Sequence, residues 1–205
     1  FNLAFPLTEG SHDLVITTKD RAGNSTVLSQ TVVIDNTAPA AMTDLAIAPD
    51  TGRSDSDLIT SQNALPAPDA GTREGEKPQL FLTGTLPEKG LKVEWFRQTD
   101  EGEVSLGIQQ YNQDDDAVLN AALPYLPDAT YTFVVRLTDA AGNSSDNVLA
   151  DVVIDNTAPD AITDLAIAPD TGIAGDFITQ QPEGTDLLLL GTLPEKNLIV
   201  TVAEG

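Results

Sequence analysis

Apolar and polar residues alternate with a period of two along much of the middle of the chain. In the stretch TYTFVVRLT, every second residue from Tyr131 to Leu137 is large and apolar. This alternation is typical of a β-strand with one buried face, and no long segment shows the 3.6-residue period of a helix. Five further runs, separated by turn sequences such as LPEKG, DAAGN and LPDAT, also predict strands: residues 45–49, 80–86, 93–97, 103–111 and 147–154.

The pattern is duplicated along the chain. Residues 32–52 and 152–172 differ only where Ala40 becomes Asp160 and Met42 becomes Ile162. The motifs KDRAGNST and TDAAGNSS, and two copies of GTLPEK, repeat in the same order. A period of more than about 100 residues indicates tandem domains rather than a solenoid of short units. We therefore predict the end of one repeat at residues 1–36, a complete repeat at 37–156 and the start of a third at 157–205.

Seven or so short strands in the complete repeat predict an all-β fold, a Greek-key sandwich. Trp95 lies on the third predicted strand, where immunoglobulin-like domains bury an aromatic residue. The sequence PDATY, which ends at Tyr131, has the setting of a tyrosine corner, and His12 takes the tyrosine position in the first repeat as a framework residue. These features predict tandem immunoglobulin-like domains of about seven strands.

Two stretches depart from the simple repeat pattern. LLLLGTL, residues 187–193, lacks alternation, which predicts a central strand buried on both sides. Residues 61–78 form an insertion that the later copy lacks.

The charge of the chain is strongly negative. It contains 10 Lys and Arg against 32 Asp and Glu, a formal net charge of −22, and no cysteine. Such a surface repels nucleic acid and anionic membranes and attracts metal cations. With no cysteine there is no disulfide framework and no thiolate metal site. No apolar run approaches the 18 residues of a membrane span, so we expect neither nucleic-acid binding nor membrane insertion.

The acidic residues fall at the predicted ends of the sandwiches. The loop after the first strand lies at the end facing the next domain, and the turn between the last two strands lies beside the preceding linker. Each joint therefore gathers an acidic loop, a linker Asp-Asn and an acidic turn. Calcium suits this set because it takes six to eight hard oxygen ligands in flexible geometry. The predicted ligands are Asp35, Asn36, Asp139 and Asn143 at the first joint, Asp50, Asp55, Asp57, Asp155 and Asn156 at the second, Asp20 and Asn24 for a joint above, and Asp170 and Asp176 for one below.

The same residues have simpler interpretations. Asp and Asn beside Gly are ordinary turn formers. The Asp114–Asp116 run is expected to be a solvated loop, and the sequons at Asn24 and Asn143 fall in tight turns that disfavour glycosylation. The DTG triplet also occurs in aspartic proteases, but those need two such loops facing each other across one cleft. No nucleophile–base pair or phosphate loop is present, so we do not expect an enzyme.

Three motifs together resemble a known family. DNTAP, TDAAGN and the DTG…IT pattern at residues 50–60 and 170–179 resemble the bacterial Ig-like repeats of giant non-fimbrial and biofilm-associated adhesins. The resemblance implies extracellular sandwiches, often with calcium at their junctions, that are exported by type I secretion. They form a stalk whose other parts contact host cells or the biofilm matrix. The insertion departs from that pattern, and DTGIAGD has one Asp fewer than DTGRSDSD.

We therefore expect a calcium-stiffened spacer of a bacterial surface adhesin, whose partners are the neighbouring repeats of its own chain. Phe1 stands in mid-pattern, so the chain is expected to be a section of a longer protein. A ligand-binding module for carbohydrate or host protein, using the insertion, remains an alternative, as does an accessory domain of a secreted hydrolase. The partial repeats are also candidates for end-to-end self-association by strand complementation.

Overall fold

The computed structural model describes residue 2 and residues 4–61, 79–180 and 184–203. Contacts divide the chain into two compact units, residues 1–156 and 157–205. The described residues contain strands and no helix, so none of them could form a membrane-spanning helix. The strands are β1 Gly10–Lys19, β2 Ser25–Ile34, β3 Thr43–Ala48, β4 Ile59–Thr60, β5 Phe81–Thr85, β6 Lys92–Thr99, β7 Gly102–Gln110, β8 Val118–Ala122, β9 Ala129–Thr138, β10 Ser144–Ile154, β11 Thr163–Ala168 and β12 Leu188–Thr192.

The first unit contains a hairpin and a sandwich. Strands β1 and β2 pair antiparallel in a sheet of their own, from Gly10 opposite Ile34 to Lys19 opposite Ser25. The sandwich has a five-stranded sheet in the order β4-β10-β9-β6-β7 and a three-stranded sheet in the order β3-β5-β8. All pairs are antiparallel except β4 with β10. The predicted all-β class is therefore confirmed.

The core lies between these two sheets. The alternation on β9 is confirmed, because Tyr131, Phe133, Val135 and Leu137 are all buried. Trp95 is also buried, and its indole lies directly over Gly107, where a Cβ atom would overlap the ring. Six of the eight strands described in the sandwich match predicted runs. The sequence analysis did not predict β4, which is too short to show a period, or β8, whose alternation is masked by small alanines.

The tyrosine corner is confirmed by a hydrogen bond. The Tyr131 hydroxyl donates to the carbonyl oxygen of Pro127 at 2.8 Å. In the hairpin, His12 Nε2 lies 2.7 Å from the carbonyl oxygen of Thr8, also four residues earlier. The imidazole therefore makes the backbone contact that the phenol makes in the complete repeat, which agrees with a framework role.

The second unit contains the two-stranded antiparallel sheet β11–β12, with Ile167 opposite Leu189. The prediction that residues 187–193 are buried on both sides is wrong, because Leu188, Leu189 and Leu190 are each about half exposed. Among the residues described in this unit, β12 pairs only with β11, so no second sheet covers its apolar side chains. The insertion at 61–78 lies, except for Ser61, outside the described residues.

Candidate metal centre

The turn between β9 and β10 is built around one carboxylate. Asp139 Oδ1 accepts hydrogen bonds from the backbone nitrogens of Ala141, Gly142 and Asn143 at 2.7–2.9 Å. Asp139 Oδ2 accepts from Asn143 Nδ2 at 2.9 Å. The bond from the Asn143 side chain is the main reason that the pKa of Asp139 lies below its ordinary value. The turn thus satisfies its own carboxylate without any ion.

The turn between β1 and β2 repeats this arrangement. Asp20 Oδ1 accepts from the nitrogens of Ala22 and Asn24 at 2.9 and 2.8 Å, and its Oδ2 accepts from Asn24 Nδ2 at 2.7 Å. These bonds, led by the Asn24 side chain, also lower the pKa of Asp20. Both asparagine side chains of the two sequons are engaged in these turns.

The first linker is held at both ends by asparagine side chains. At its start, Asn143 Nδ2 also donates to the carbonyl oxygen of Asp35 at 3.2 Å, which brings the acidic turn to the linker as predicted. At its end, Asn147 Oδ1 accepts from the backbone nitrogen of Met42 at 2.8 Å. Pro39, between them, is buried and has a restricted φ. This linker is therefore fixed by direct hydrogen bonds and packing.

The acidic loop after β3 folds onto itself and onto the end of β10. Asp50 Oδ2 accepts from the nitrogen of Leu58 at 3.0 Å, and Asp57 Oδ1 accepts from the nitrogen of Ile59 at 3.1 Å. The nitrogen of Asp155 donates to the carbonyl oxygen of Thr60 at 3.0 Å. The loop and the linker Asp-Asn of the second joint therefore lie together, as the sequence predicted.

A pair of threonines closes this loop, and the same pair occurs in the second unit. The hydroxyls of Thr51 and Thr60 lie 3.0 Å apart, and Thr60 also donates to the carbonyl oxygen of Pro49 at 2.9 Å. In the later copy the hydroxyls of Thr171 and Thr179 lie 3.2 Å apart. Sequence reasoning assigned no role to these threonines, although the repeated DTG…IT pattern carried the signal.

Each of the two loops contains a buried carboxylate oxygen without a hydrogen-bond partner among the described residues. These atoms are Asp50 Oδ1 and its counterpart Asp170 Oδ1. The other oxygen of Asp170 accepts from the nitrogen of Gly175 at 2.7 Å. Burial is the main cause that raises the pKa of Asp50, and the negative charges of Asp57 and Asp55 add to it. A buried, partnerless carboxylate oxygen is costly, and a cation beside it would remove that cost.

The described parts of the chain contain no group of three or more His, Cys, Asp or Glu side chains that could hold a metal ion. The donor set around Asp50 therefore fits calcium only if asparagine, backbone carbonyl or water oxygens complete it, and calcium accepts all of these. Asp55 and Asn36 are exposed. Asp176 Oδ1 accepts from the nitrogen of Ile178 at 2.9 Å.

Asp128 is a residue near the second joint that the site prediction missed. Its Oδ1 accepts from the backbone nitrogen of Asn156 at 2.8 Å, while Asn156 Nδ2 donates to the carbonyl oxygen of Leu126 at 3.2 Å. The sequence analysis assigned Asp128 only to the tyrosine corner. Its position in the strand order, at the same end as the linker, was the available signal.

Comparison with known families decides the classification. Residues 50–156, just over half of the 205, match the family described as bacterial Ig-like domain. This chain belongs to the bacterial Ig-like domain family. The part of this bacterial Ig-like chain that matches the family runs from Asp50, in the first acidic loop, to Asn156, in the second linker. The immunoglobulin-like fold predicted from Trp95 and Tyr131 is thereby confirmed, whereas membership of giant type I-secreted adhesin repeats stays a prediction.

No curated protein matches the chain. Among solved structures, this bacterial Ig-like chain is similar to one from an Antarctic bacterium, described as "Ca2+-stabilized adhesin helps an Antarctic bacterium reach out and bind ice". The TM-score is 0.36 and the sequence identity is 18%. The alignment covers 77% of this chain and 34% of that chain, so this chain spans about a third of the length of that protein.

Proposed function

We propose that this chain is a structural spacer of a bacterial cell-surface adhesin, with calcium ions stiffening the joints between its Ig-like repeats. The family and the duplicated linker sequence support a string of similar domains. The hydrogen bond that Asn143 donates to the linker and the one that Asn147 accepts from it support a linker with a fixed shape. A spacer needs this property, because a flexible linker would let the stalk collapse.

The partnerless oxygens of Asp50 and Asp170 are the observation that carries the calcium proposal. A hard cation at the first loop would be held by Asp50 and one neighbouring carboxylate, Asp55 or Asp57, with backbone carbonyl and water oxygens completing its ligands. At the first joint, Asp35 and Asn36 have exposed side-chain oxygens that could act as ligands of the ion. Asp20 and Asp139 have a smaller role in this proposal, because their own turns already supply hydrogen bonds to both carboxylate oxygens.

Calcium would act mechanically at these joints. The chain carries a net charge of −22, and carboxylates gathered at a joint repel one another. A divalent ion replaces this repulsion with attraction to both sides of the joint. Calcium sites of extracellular modules bind with dissociation constants of about 10⁻⁴–10⁻³ M, so they fill outside the cell. The stalk would stiffen after export, at the cell surface or in a biofilm.

The test is Asp50→Asn, measured by thermal unfolding in calcium and in chelator. Trp95, the one tryptophan, lies in the core of the first unit, so its fluorescence reports that unit. In about 10 mM calcium, one site of that affinity stabilises by about 1.4–2.7 kcal/mol, or about 3–10 °C. Asp50→Asn should lose this gain. In chelator it should equal or exceed the parent protein, because the amide removes a negative charge that Asp55 and Asp57 repel and whose buried Oδ1 has no hydrogen-bond partner.

The control is Asp114→Asn, which removes an exposed carboxylate in another loop and should keep the calcium response. Small-angle scattering of the parent protein should show a longer maximum dimension in calcium than in chelator. If calcium changes neither the melting temperature nor the maximum dimension of the parent protein, this function is excluded.

A further inference from the structure

The outer face of the three-stranded sheet carries no charged side chain. Along β5, Leu82 is buried in the core, whereas its neighbours Phe81 and Thr83 are half-buried and point away from the core. Pairing with β3 and β8 extends this outward face to nine residues in three cross-strand rows. We call these residues the neutral face: Ala48, Phe81 and Ala122; Ala46, Thr83 and Asn120; and Thr43, Thr85 and Val118.

The outer face of the five-stranded sheet is charged, in contrast. There Arg136 forms ion pairs with Asp146 at 2.7 Å and with Glu103 at 3.2 Å. On β3, β5 and β8 the one charged residue is Asp44, which lies in the bulge of β3 and outside the three rows. The neutral face is therefore a break in the surface of a chain whose net charge is −22.

The second copy of the repeat keeps these positions neutral but changes the aromatic one. Strands β11 and β12 pair in the same register, with Ala168 opposite Leu188 as Ala48 is opposite Phe81. Leucine thus stands where the complete repeat has phenylalanine. A leucine packs against protein as a phenylalanine does, but it offers no ring on which a sugar could stack. This exchange favours a protein partner for the neutral face over a carbohydrate.

The neutral face has a ridge between two shallow grooves. Phe81 lies on the central strand β5, between Ala48 on β3 and Ala122 on β8. Two sheets that pack face to face lie about 10 Å apart, and an alanine leaves room that an aromatic ring of the facing sheet can fill. When two copies face each other with a shift of one strand, Phe81 of each lies over Ala122 of the other. The face is therefore complementary to itself, as the contact of a two-fold dimer requires.

The charge of the chain restricts which surfaces two copies can share. Two chains of net charge −22 repel each other, and a contact that brings their carboxylates together meets this repulsion at short range. A contact between neutral faces keeps the charges at its periphery. Strand β8 has no charged residue, whereas β3 has Asp44, so the β8 side of the face is the better place for the contact. Val118 on β8 is 54% exposed and adds apolar area to bury.

We propose that two copies of this chain associate side by side through the neutral faces of their complete repeats. Phe81 of each copy packs over Ala122 of the other, and Asn120 of each lies over Thr83 of the other. The contact is isologous, so it closes as a dimer. It needs neither calcium nor the spacer function, so its failure and theirs can be told apart. In a spacer, it would join neighbouring stalks laterally.

The test is sedimentation equilibrium of the parent chain and of two variants with opposite charges. A contact of this size is smaller than a standard interface, so the parent chain should approach twice its mass of 21.6 kDa between about 10 µM and 1 mM. Asn120→Asp places two like charges across the two-fold contact and should weaken the dimer by about tenfold or more. Asn120→Lys should do the same. An equimolar mixture of the two variants should recover the dimer, because opposite charges then meet, and this recovery also shows that both variants are folded.

The control is Gln98→Glu, which adds one negative charge at an exposed residue of the five-stranded sheet and should dimerise like the parent chain. Raising the salt concentration from about 50 to 500 mM should strengthen the parent dimer, because salt screens the repulsion between the two chains. A parent chain that stays monomeric at both salt concentrations would overturn the proposal. So would a dimer that salt weakens, equal effects of Gln98→Glu and Asn120→Asp, or a mixture without dimers. A monomeric parent chain that is retained on cellulose, and that Asn120→Asp releases, would assign the face to a neutral polysaccharide instead.

Discussion

The side chain of Asn147 joins the end of the first linker to the five-stranded sheet, and its removal should be costly. It is 8% exposed, accepts from the nitrogen of Met42 at 2.8 Å and donates to the carbonyl oxygen of Val135 at 3.3 Å. Asn147→Ala leaves a buried N–H without an acceptor, which costs about 1–3 kcal/mol, and loses a second bond worth about 0.5–1.5 kcal/mol. We expect a total loss of about 1.5–4.5 kcal/mol, or about 3–18 °C in melting temperature.

Thermal unfolding followed by Trp95 fluorescence measures this loss. Asn147→Leu distinguishes the effect of losing the hydrogen bonds from the effect of creating a cavity, because leucine fills the space but offers no acceptor to the Met42 nitrogen. It should also destabilise the protein, although a leucine, Leu28, occupies the equivalent position on β2 of the β1–β2 hairpin. Val148→Ala, at the exposed next residue, should change stability by less than about 0.5 kcal/mol. An Asn147→Leu variant at least as stable as the parent would refute this account of the linker.

Two further predictions concern the core and a turn. Gly107→Ala should lower the free energy of unfolding by about 1–3 kcal/mol, because the new methyl group overlaps the Trp95 ring. Urea unfolding measures this loss. The control Ser105→Ala, on the same strand, should be nearly neutral. The pKa of Asp139 is lowered on folding, so its ionised form stabilises the protein above its ordinary value of 3.8 and this contribution disappears as the pH falls through the lower folded value. Asp139→Asn should therefore melt below the parent protein near neutral pH and approach it as the pH falls below 3.8. A gap in melting temperature that is constant with pH would contradict this role.

Much of the fold could be predicted from local pattern. The alternation from Tyr131 to Leu137 identified β9, because a strand between core and solvent needs apolar residues at every second position. The PDATY sequence identified the tyrosine corner because the tyrosine and the carbonyl group that it contacts lie only four residues apart in the chain. The burial of the LLLLGTL run could not be predicted correctly, because burial depends on which other strands pack against it and not on its own apolar content.

The candidate site divides in the same way. The strand order correctly placed the acidic turn containing Asn143 beside the first linker and the DTG loop beside the second. It could not show that Asp139 is satisfied by its own turn whereas Asp50 Oδ1 has no partner. Both are aspartates in acidic turn sequences, and only the hydrogen-bond directions separate them.

The sequence by itself determined the duplicated motifs, the all-β class and the positions of the acidic loops in the strand order. These follow from periodicity and strand order, which are properties of neighbouring residues along the chain. The tertiary structure decided that Asn147 holds the linker through Met42, 105 residues away, and that Asp50 and Asp170 each bury an oxygen without a partner. Hydrogen bonding and burial depend on groups that meet only after folding, so no local pattern specifies them.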